Sequence, residues 1–237
     1  MNFLIQTVDG EVMHDFCFAA IQACKYNNWY KKTDEYKYIL TDYVPNFIDK
    51  RYIIPIGTVE FVHEYLIRYY NIFPKPINVP EELFAYSNRK IFNTTGAELE
   101  GHGELFIKSN EEIKFIITGI YDTNSWALPK GNYQASEIIE IKSEWRAFVY
   151  KNKLVGLSNY SGDFTIFTDI NRINNMIHDY KNSPIAYTLD VGITDNWDTV
   201  IIEVHRFYSC GLYGFSDSSI LLQMFSSAFN ELIQNKS

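Results

Sequence analysis

Apolar and polar positions divide this chain into two regimes. Through residue 73, short apolar runs alternate with longer stretches of helical spacing. Residues 3–7 predict a strand. Residues 11–26 carry Phe16, Ala19, Ala20, Ala23 and Cys24 on one side of a helix. Residues 36–40 and 52–56 predict two more strands, the second placed at an edge or strand end by Pro55. Thr58 has the chemistry of an N-cap, with Glu60 in the first turn of a helix running to residue 70. Strands alternating with helices predict a small parallel α/β unit.

Pro74, Pro76 and Pro80 then break the pattern and predict a linker or extended crossing. Beyond them, residues 105–108, 115–121, 134–141, 145–150 and 154–160 read as strands separated by turns, a mostly antiparallel meander. A helix is expected over 169–180, two further strands after it, and a last helix over 218–234. The predicted fold class is α+β: an α/β unit over residues 1–80, followed by a nucleotide-binding and catalytic unit of α+β subdomains with antiparallel sheets over 81–237.

Charge and composition narrow the functions. The 237 residues carry 21 Lys+Arg against 29 Asp+Glu, a net charge of −8, which argues against a general nucleic-acid binder. The abundance of Tyr and Phe is ascribed to AT-rich codon usage rather than to a sugar-stacking surface. The three cysteines, Cys17, Cys24 and Cys210, form no CxxC pair, so neither a disulfide frame nor a zinc knuckle is indicated. No apolar stretch approaches the roughly 18 residues of a membrane span. A cytoplasmic, reducing setting without membrane or nucleic-acid partners is expected.

The segment 187–205 carries the sharpest chemistry. Two strand-like runs flank Asp195-Asn196-Trp197-Asp198, a turn-forming quartet. With Thr194 opposite Thr199 as the first pair, Asp190 falls opposite Glu203, and period-2 alternation puts His205 on the Glu203 face. Like charges directly opposed are destabilising. A divalent cation, a raised carboxyl pKa, or Lys and Arg from neighbouring strands would each relieve them.

Cations flank this hairpin in the sequence. Lys108 ends one strand and Lys114 begins the next. With a five-residue loop they face each other and suit a polyanion such as a triphosphate; with four they diverge, and an edge strand guarded by lysines is the alternative. Arg146 lies within an apolar strand and must be paired, either structurally with Glu144 or with a phosphate. Glu137-Ile138-Ile139 offers strand backbone beside apolar side chains, the usual platform for adenine. Gly211-Leu212-Tyr213-Gly214 is a glycine-bounded loop that lets backbone approach a ligand or simply turn.

In this order, Ser-Glu-Ile-Ile, Glu-Trp-Arg-x-Phe-Val, Asp-Val-Gly…Ile-Glu-Val-His and Gly-Leu-Tyr-Gly, the chain resembles the ATP-grasp superfamily, in particular a small clade encoded by phages and bacteria. The resemblance is strongest from residue 108 to 214. It implies ATP held between two α+β subdomains. Lys108 would contact the phosphates with Lys114 as companion, and Glu137, Ile138 and Ile139 would hold adenine. Arg146 would lie near the γ-phosphate or an acyl phosphate, and Asp190 and Glu203 would bind magnesium. Gly211, Tyr213 and Gly214 would form a substrate loop, and Arg89 or Lys90 an additional basic contact. The family usually has Asn where this chain has His205, and imidazole suits manganese better than magnesium. No glycine-rich phosphate-covering loop stands out; residues 121–131 are the available substitute.

The activity implied is carboxylate–amine ligation. A carboxylate attacks the γ-phosphate of ATP, giving an acyl phosphate and ADP, and an amine then displaces phosphate. The partners implied are a small-molecule or peptide carboxylate and an amine, with a homodimer left open. The rival in another class is a non-catalytic ATP-binding or interaction protein on the same fold. A protein kinase is excluded by the absence of HRD and DFG motifs. A nucleotidyl-lysine ligase is disfavoured because Ser-Asn-Glu follows Lys108.

Overall fold

The computed structural model describes residues 1–47, 53–111 and 116–234. The first sheet comprises β1 (Asn2–Gln6), β2 (Lys37–Thr41) and β3 (Ile53–Ile56) in the order β2-β1-β3, all parallel. Central β1 buries Phe3, Leu4 and Ile5 consecutively, as a strand covered on both faces must. Pro55 lies on an edge strand, where its missing N–H costs no ladder bond. Helix α2 (Val59–Tyr70) begins as expected: the Thr58 hydroxyl accepts from Phe61 N–H.

Helix α1 (Asp15–Lys31) starts and ends later than its apolar spacing predicts. Glu11 instead pairs with Val8 in a tight bridge. The helix continues past residue 26 because the Asn27 side-chain amide is buried and donates to the carbonyls of Ala23 and Ser218.

The remaining strands form two antiparallel sheets rather than one meander. The smaller contains β4 (Ile91–Thr95), β5 (Glu104–Ser109), β6 (Gly119–Asp122) and β7 (Asn132–Ser136), in the order β4-β7-β5-β6. The larger contains β8 (Ile141–Tyr150), β9 (Lys153–Gly162), β10 (Ala186–Thr194) and β11 (Thr199–Arg206), in the order β11-β10-β8-β9. Strand β4 has no counterpart in the hydropathy reading, because its Asn-Thr-Thr end carries no apolar alternation. The strand expected over 134–141 is two strands. Residues 137–140 leave one sheet and cross to the other, and the Glu137 N–H bonds the Lys90 carbonyl.

Alternation along β8 and β10 gives the larger sheet two interiors. Ala147, Val149, Leu189 and Val191 pack against α3 (Ile170–Asp179). Phe148, Tyr150 and Ala186 face the other way, into a core shared with β1, α1, α2 and α4 (Leu221–Gln234). Arg146 and Asp190 continue this second face along the same two strands. The proline-bounded linker then ties the sheets together. Asn78 O accepts from Val204 N–H on β11, Asn78 Nδ2 donates to Ser109 O on β5, and Val79 exchanges two hydrogen bonds with Gln134 on β7. Among the described residues, no helix is long and apolar enough to cross a membrane.

Candidate active site

Asp190 stands opposite Glu203 across β10 and β11, as the hairpin reading expects, but by a different route. The turn is tighter than assumed. Trp197 adopts φ +64°, Thr194 N–H donates to Asp198 O, and Ile193 rather than Thr194 pairs with Thr199. A β-bulge then leaves Ile202 as an extra residue and restores the Asp190–Glu203 opposition.

The repulsion between these carboxylates is relieved by fixed cations. Arg146 Nε and Nη2 donate to Asp190 Oδ1 and Oδ2 at 2.8 and 2.7 Å, a bidentate pair between two buried side chains. Arg146 therefore pairs with Asp190 rather than Glu144, which accepts from the Tyr160 hydroxyl at 2.6 Å. Lys108 reaches across from β5 to Glu203, and His205 Nε2 lies 2.6 Å from the other Glu203 oxygen and 3.8 Å from Asp190 Oδ2. Burial pushes the Glu203 carboxyl up, but His205 and the Lys108 ammonium outweigh it and hold it well below the usual carboxylate range. The raised-pKa alternative is thus reversed at Glu203. Burial lowers the Arg146 guanidinium, and Asp190 more than offsets this. Burial, then the Asp190 charge, push the Tyr160 phenol far up, so it stays a neutral donor.

Lys108 is buried on an interior strand, not on a solvated edge. Lys114 lies outside the described residues. Oxygen and nitrogen atoms of Asp190, Glu203 and His205 fall within 4.8 Å of one another. Two carboxylates and an imidazole on adjacent strands fit a divalent cation.

Two cavities flank this cluster. One, of about 300 Å³, lies between the sheets and is lined by Phe106, Ile138, Ile139, Ile202, Arg89 and Glu137. Phe106, Arg89 and Ile202 also line a small cavity that reaches Lys108, so the apolar cleft leads from the 137–140 crossing toward the cation cluster. The bulge residue Ile202 forms one wall. Arg89 is buried, donates to the carbonyls of Ser87 and Ile201, and is held below its usual pKa by burial. The other cavity, about 460 Å³, includes His205 in its wall and is bounded by the start of α2, the linker at Lys75 and Pro76, and Arg206 and Tyr208. Residues 121–131 pack by Leu128 and Pro129 against Tyr133 and Gly96 of the smaller sheet.

The loop 211–214 sits on the cluster. Gly211 O accepts from Arg146 Nη1 at 3.0 Å, and Tyr213 stacks over the guanidinium. The sequence reading missed Tyr160, which covers Arg146 from another side, and Asp15, whose carboxylate accepts from Leu212 and Tyr213 N–H. No local pattern marks either residue, because both contacts span distant parts of the chain.

The architecture has solved counterparts. A D-cycloserine synthetase matches at TM-score 0.60 with 10% identity, covering 98% of this chain and 99% of its own. The D-alanine–D-alanine ligase of Bacillus anthracis matches at 0.51 with 11% identity over 100% of this chain and 99% of its own. The ATP-grasp ligase PsnB, complexed with a minimal precursor, matches at 0.51 with 10% identity over 95% and 99%. At such identities the likeness is one of fold, the fold of ATP-dependent ligases. No curated protein matches the sequence. A family model of the ATP-grasp domain, the second family of its clade, matches residues 86–222, which include β4 to β11 and the whole carboxylate cluster, and the chain belongs to that ATP-grasp family.

Proposed function

We propose that the protein is an ATP-dependent carboxylate–amine ligase that works through an acyl phosphate and releases ADP and phosphate. The observation that carries this reading is the convergence of Lys108 and Arg146 on Asp190 and Glu203, at the end of an apolar cleft whose far end is the 137–140 crossing.

In this reading adenine occupies the cleft between Phe106 and Ile202, beside the backbone of Ile138 and Ile139. The triphosphate extends toward Lys108, with Arg89 as a further cation. Asp190, Glu203 and His205 would hold a divalent cation, magnesium or manganese, which when bound neutralises charge on the phosphates. A guanidinium has five N–H donors, and Asp190 and Gly211 O engage only part of them. The remaining N–H groups of Arg146 are available to the transferring phosphoryl group. Lys108 exchanges Glu203 for a phosphate oxygen. Phosphoryl transfer needs such positioning and charge, not a protein nucleophile.

The cavity beside His205 is the natural place for the carboxylate and amine substrates. Its lining carries both signs of charge, Glu60 and Glu111 with Lys75 and Arg206, which suits polar substrates. With the chain divided into an α/β unit over 1–80 and a nucleotide-binding unit over 81–237, this cavity would lie between the two. The test is incubation with ATP, magnesium or manganese, and pooled amino acids and peptides, followed by nucleotide chromatography and mass spectrometry. ADP formed in step with a new amide mass supports the reading. AMP formation overturns it, and ATP binding without turnover favours the non-catalytic alternative.

A further inference from the structure

The first residue of α1 grips the loop that follows the carboxylate sheet. Asp15 Oδ1 accepts from Phe16 N–H at 2.7 Å, within its own helix. Asp15 Oδ2 accepts from Leu212 N–H at 2.7 Å and Tyr213 N–H at 3.0 Å. Two successive N–H groups aimed at one oxygen form a backbone concavity for an anion. Its geometry requires left-handed backbone at Tyr213 (φ +48°) and Gly214 (φ +91°). A non-glycine residue there costs roughly 1–2 kcal/mol, and the charge-assisted hydrogen bonds to Asp15 offset it.

The conformation held in this way acts on Arg146. It aims the Gly211 carbonyl at Nη1 and lays the Tyr213 ring 5.1 Å from the guanidinium. The same ring stacks on Tyr160 at 5.2 Å, and Tyr160 lies 5.6 Å from the guanidinium. Gly211 has no room for a side chain, because a Cβ would meet the Tyr213 ring at 3.0 Å. Asp190 fixes one edge of Arg146. The contacts to Gly211 and Tyr213 fix the rest, and they depend on the loop.

We infer that Asp15 is a positioning residue for Arg146: a carboxylate from the first α/β layer that holds residues 211–214 so that the free N–H groups of the guanidinium face the phosphoryl group. The inference rests on the role given to Arg146 above. It makes the α/β layer part of the catalytic apparatus rather than only a wall of the substrate cavity. Asp15 itself is exposed, and Leu212 anchors the loop in the core independently. The loop therefore stays attached when the carboxylate is changed and loses only its set.

The test compares the full chain with Asp15→Asn and Tyr213→Leu. Melting temperature reports folding, basal ATP hydrolysis gives kcat and KM for ATP, and ¹⁵N spectroscopy follows exchange of the Arg146 Nε–H. The expected result is near wild-type melting, kcat lower by about tenfold or more with KM for ATP little changed, and faster Arg146 Nε–H exchange in both variants. A folded Asp15→Asn protein with wild-type kcat, or with an unaltered Arg146 signal, overturns the inference. A rise in KM alone does the same. If the wild-type protein hydrolyses no ATP, the ligase reading fails, and the Arg146 signal by itself decides whether Asp15 sets the guanidinium. If Asp15→Asn does not fold, Tyr213→Leu is judged by the same criteria.

Discussion

Replacing Glu203 by Gln separates the charge of the site from its shape. The substitution keeps the side-chain volume and leaves one oxygen able to accept from Lys108, but it removes the negative charge shared by Lys108 and His205. Breaking a fully buried ion pair costs about 3–5 kcal/mol. Here the Glu203 side chain is 23% exposed and the Lys108 side chain 8%, and a hydrogen bond remains. A loss of about 1–3 kcal/mol is therefore expected, a melting-temperature drop of about 2–12 °C for a chain of this size. The effect on turnover is larger, because the lost charge belongs to the metal-binding pair. One electrostatic contact of this kind is worth about 10²–10³ in rate. The assay is ADP release by chromatography, alongside circular dichroism and thermal melting. Wild-type turnover in a folded Glu203→Gln protein refutes the assignment of Glu203 to the metal site. The folded-state pKa of Glu203 is depressed, so its stabilisation is fully present above the unfolded value near 4.5 and is lost as pH falls toward the folded one. Wild-type melting should accordingly fall more steeply with acid below about pH 4.5 than that of Glu203→Gln; parallel curves would show that the Lys108 and His205 contacts contribute no net stability.

Three other substitutions probe different parts of the structure. His205→Asn should shift the metal optimum of ATP turnover from manganese toward magnesium; identical metal dependence removes His205 from the ligand set. Arg146→Met leaves Asp190, 1% exposed, without its bidentate partner, and should lower stability by about 3–5 kcal/mol in a denaturant titration. Restoration of that stability by the double variant Arg146→Met, Asp190→Leu would show that the cost lies in the orphaned charge. Thr58→Ala removes the cap on Phe61 N–H and should cost about 1 kcal/mol with no change in ATP affinity. A change in nucleotide affinity there would mean that α2 is coupled to the cleft.

Much of the secondary structure was legible in the order of residues, because it rests on local physics. The Thr58 cap, the proline at the edge of β3 and the buried run of β1 are decided by neighbours a few positions away. The opposition of Asp190 and Glu203 was legible for a related reason: a short hairpin fixes its own register to within a residue, and the bulge at Ile202 happened to compensate for a turn of different shape. The clustering of His205 with Glu203 follows from period-2 alternation alone.

Sheet order, the identity of charge partners and the cleft were decided only by tertiary structure. Nothing in residues 134–141 distinguishes one long strand from two strands in different sheets, since apolar side chains suit either. The Lys108–Glu203 and Arg146–Asp190 pairs join strands separated by many residues, and only the sheet order β11-β10-β8-β9 places Asp190 rather than Glu144 beside Arg146. The grip of Asp15 on Leu212 and Tyr213 joins the beginning of the chain to its end. Backbone hydrogen bonds and side-chain alternation act over a few residues and leave their mark in the sequence. Desolvated charges are matched by whatever the folded layers bring within reach, and that matching is a property of the packed molecule.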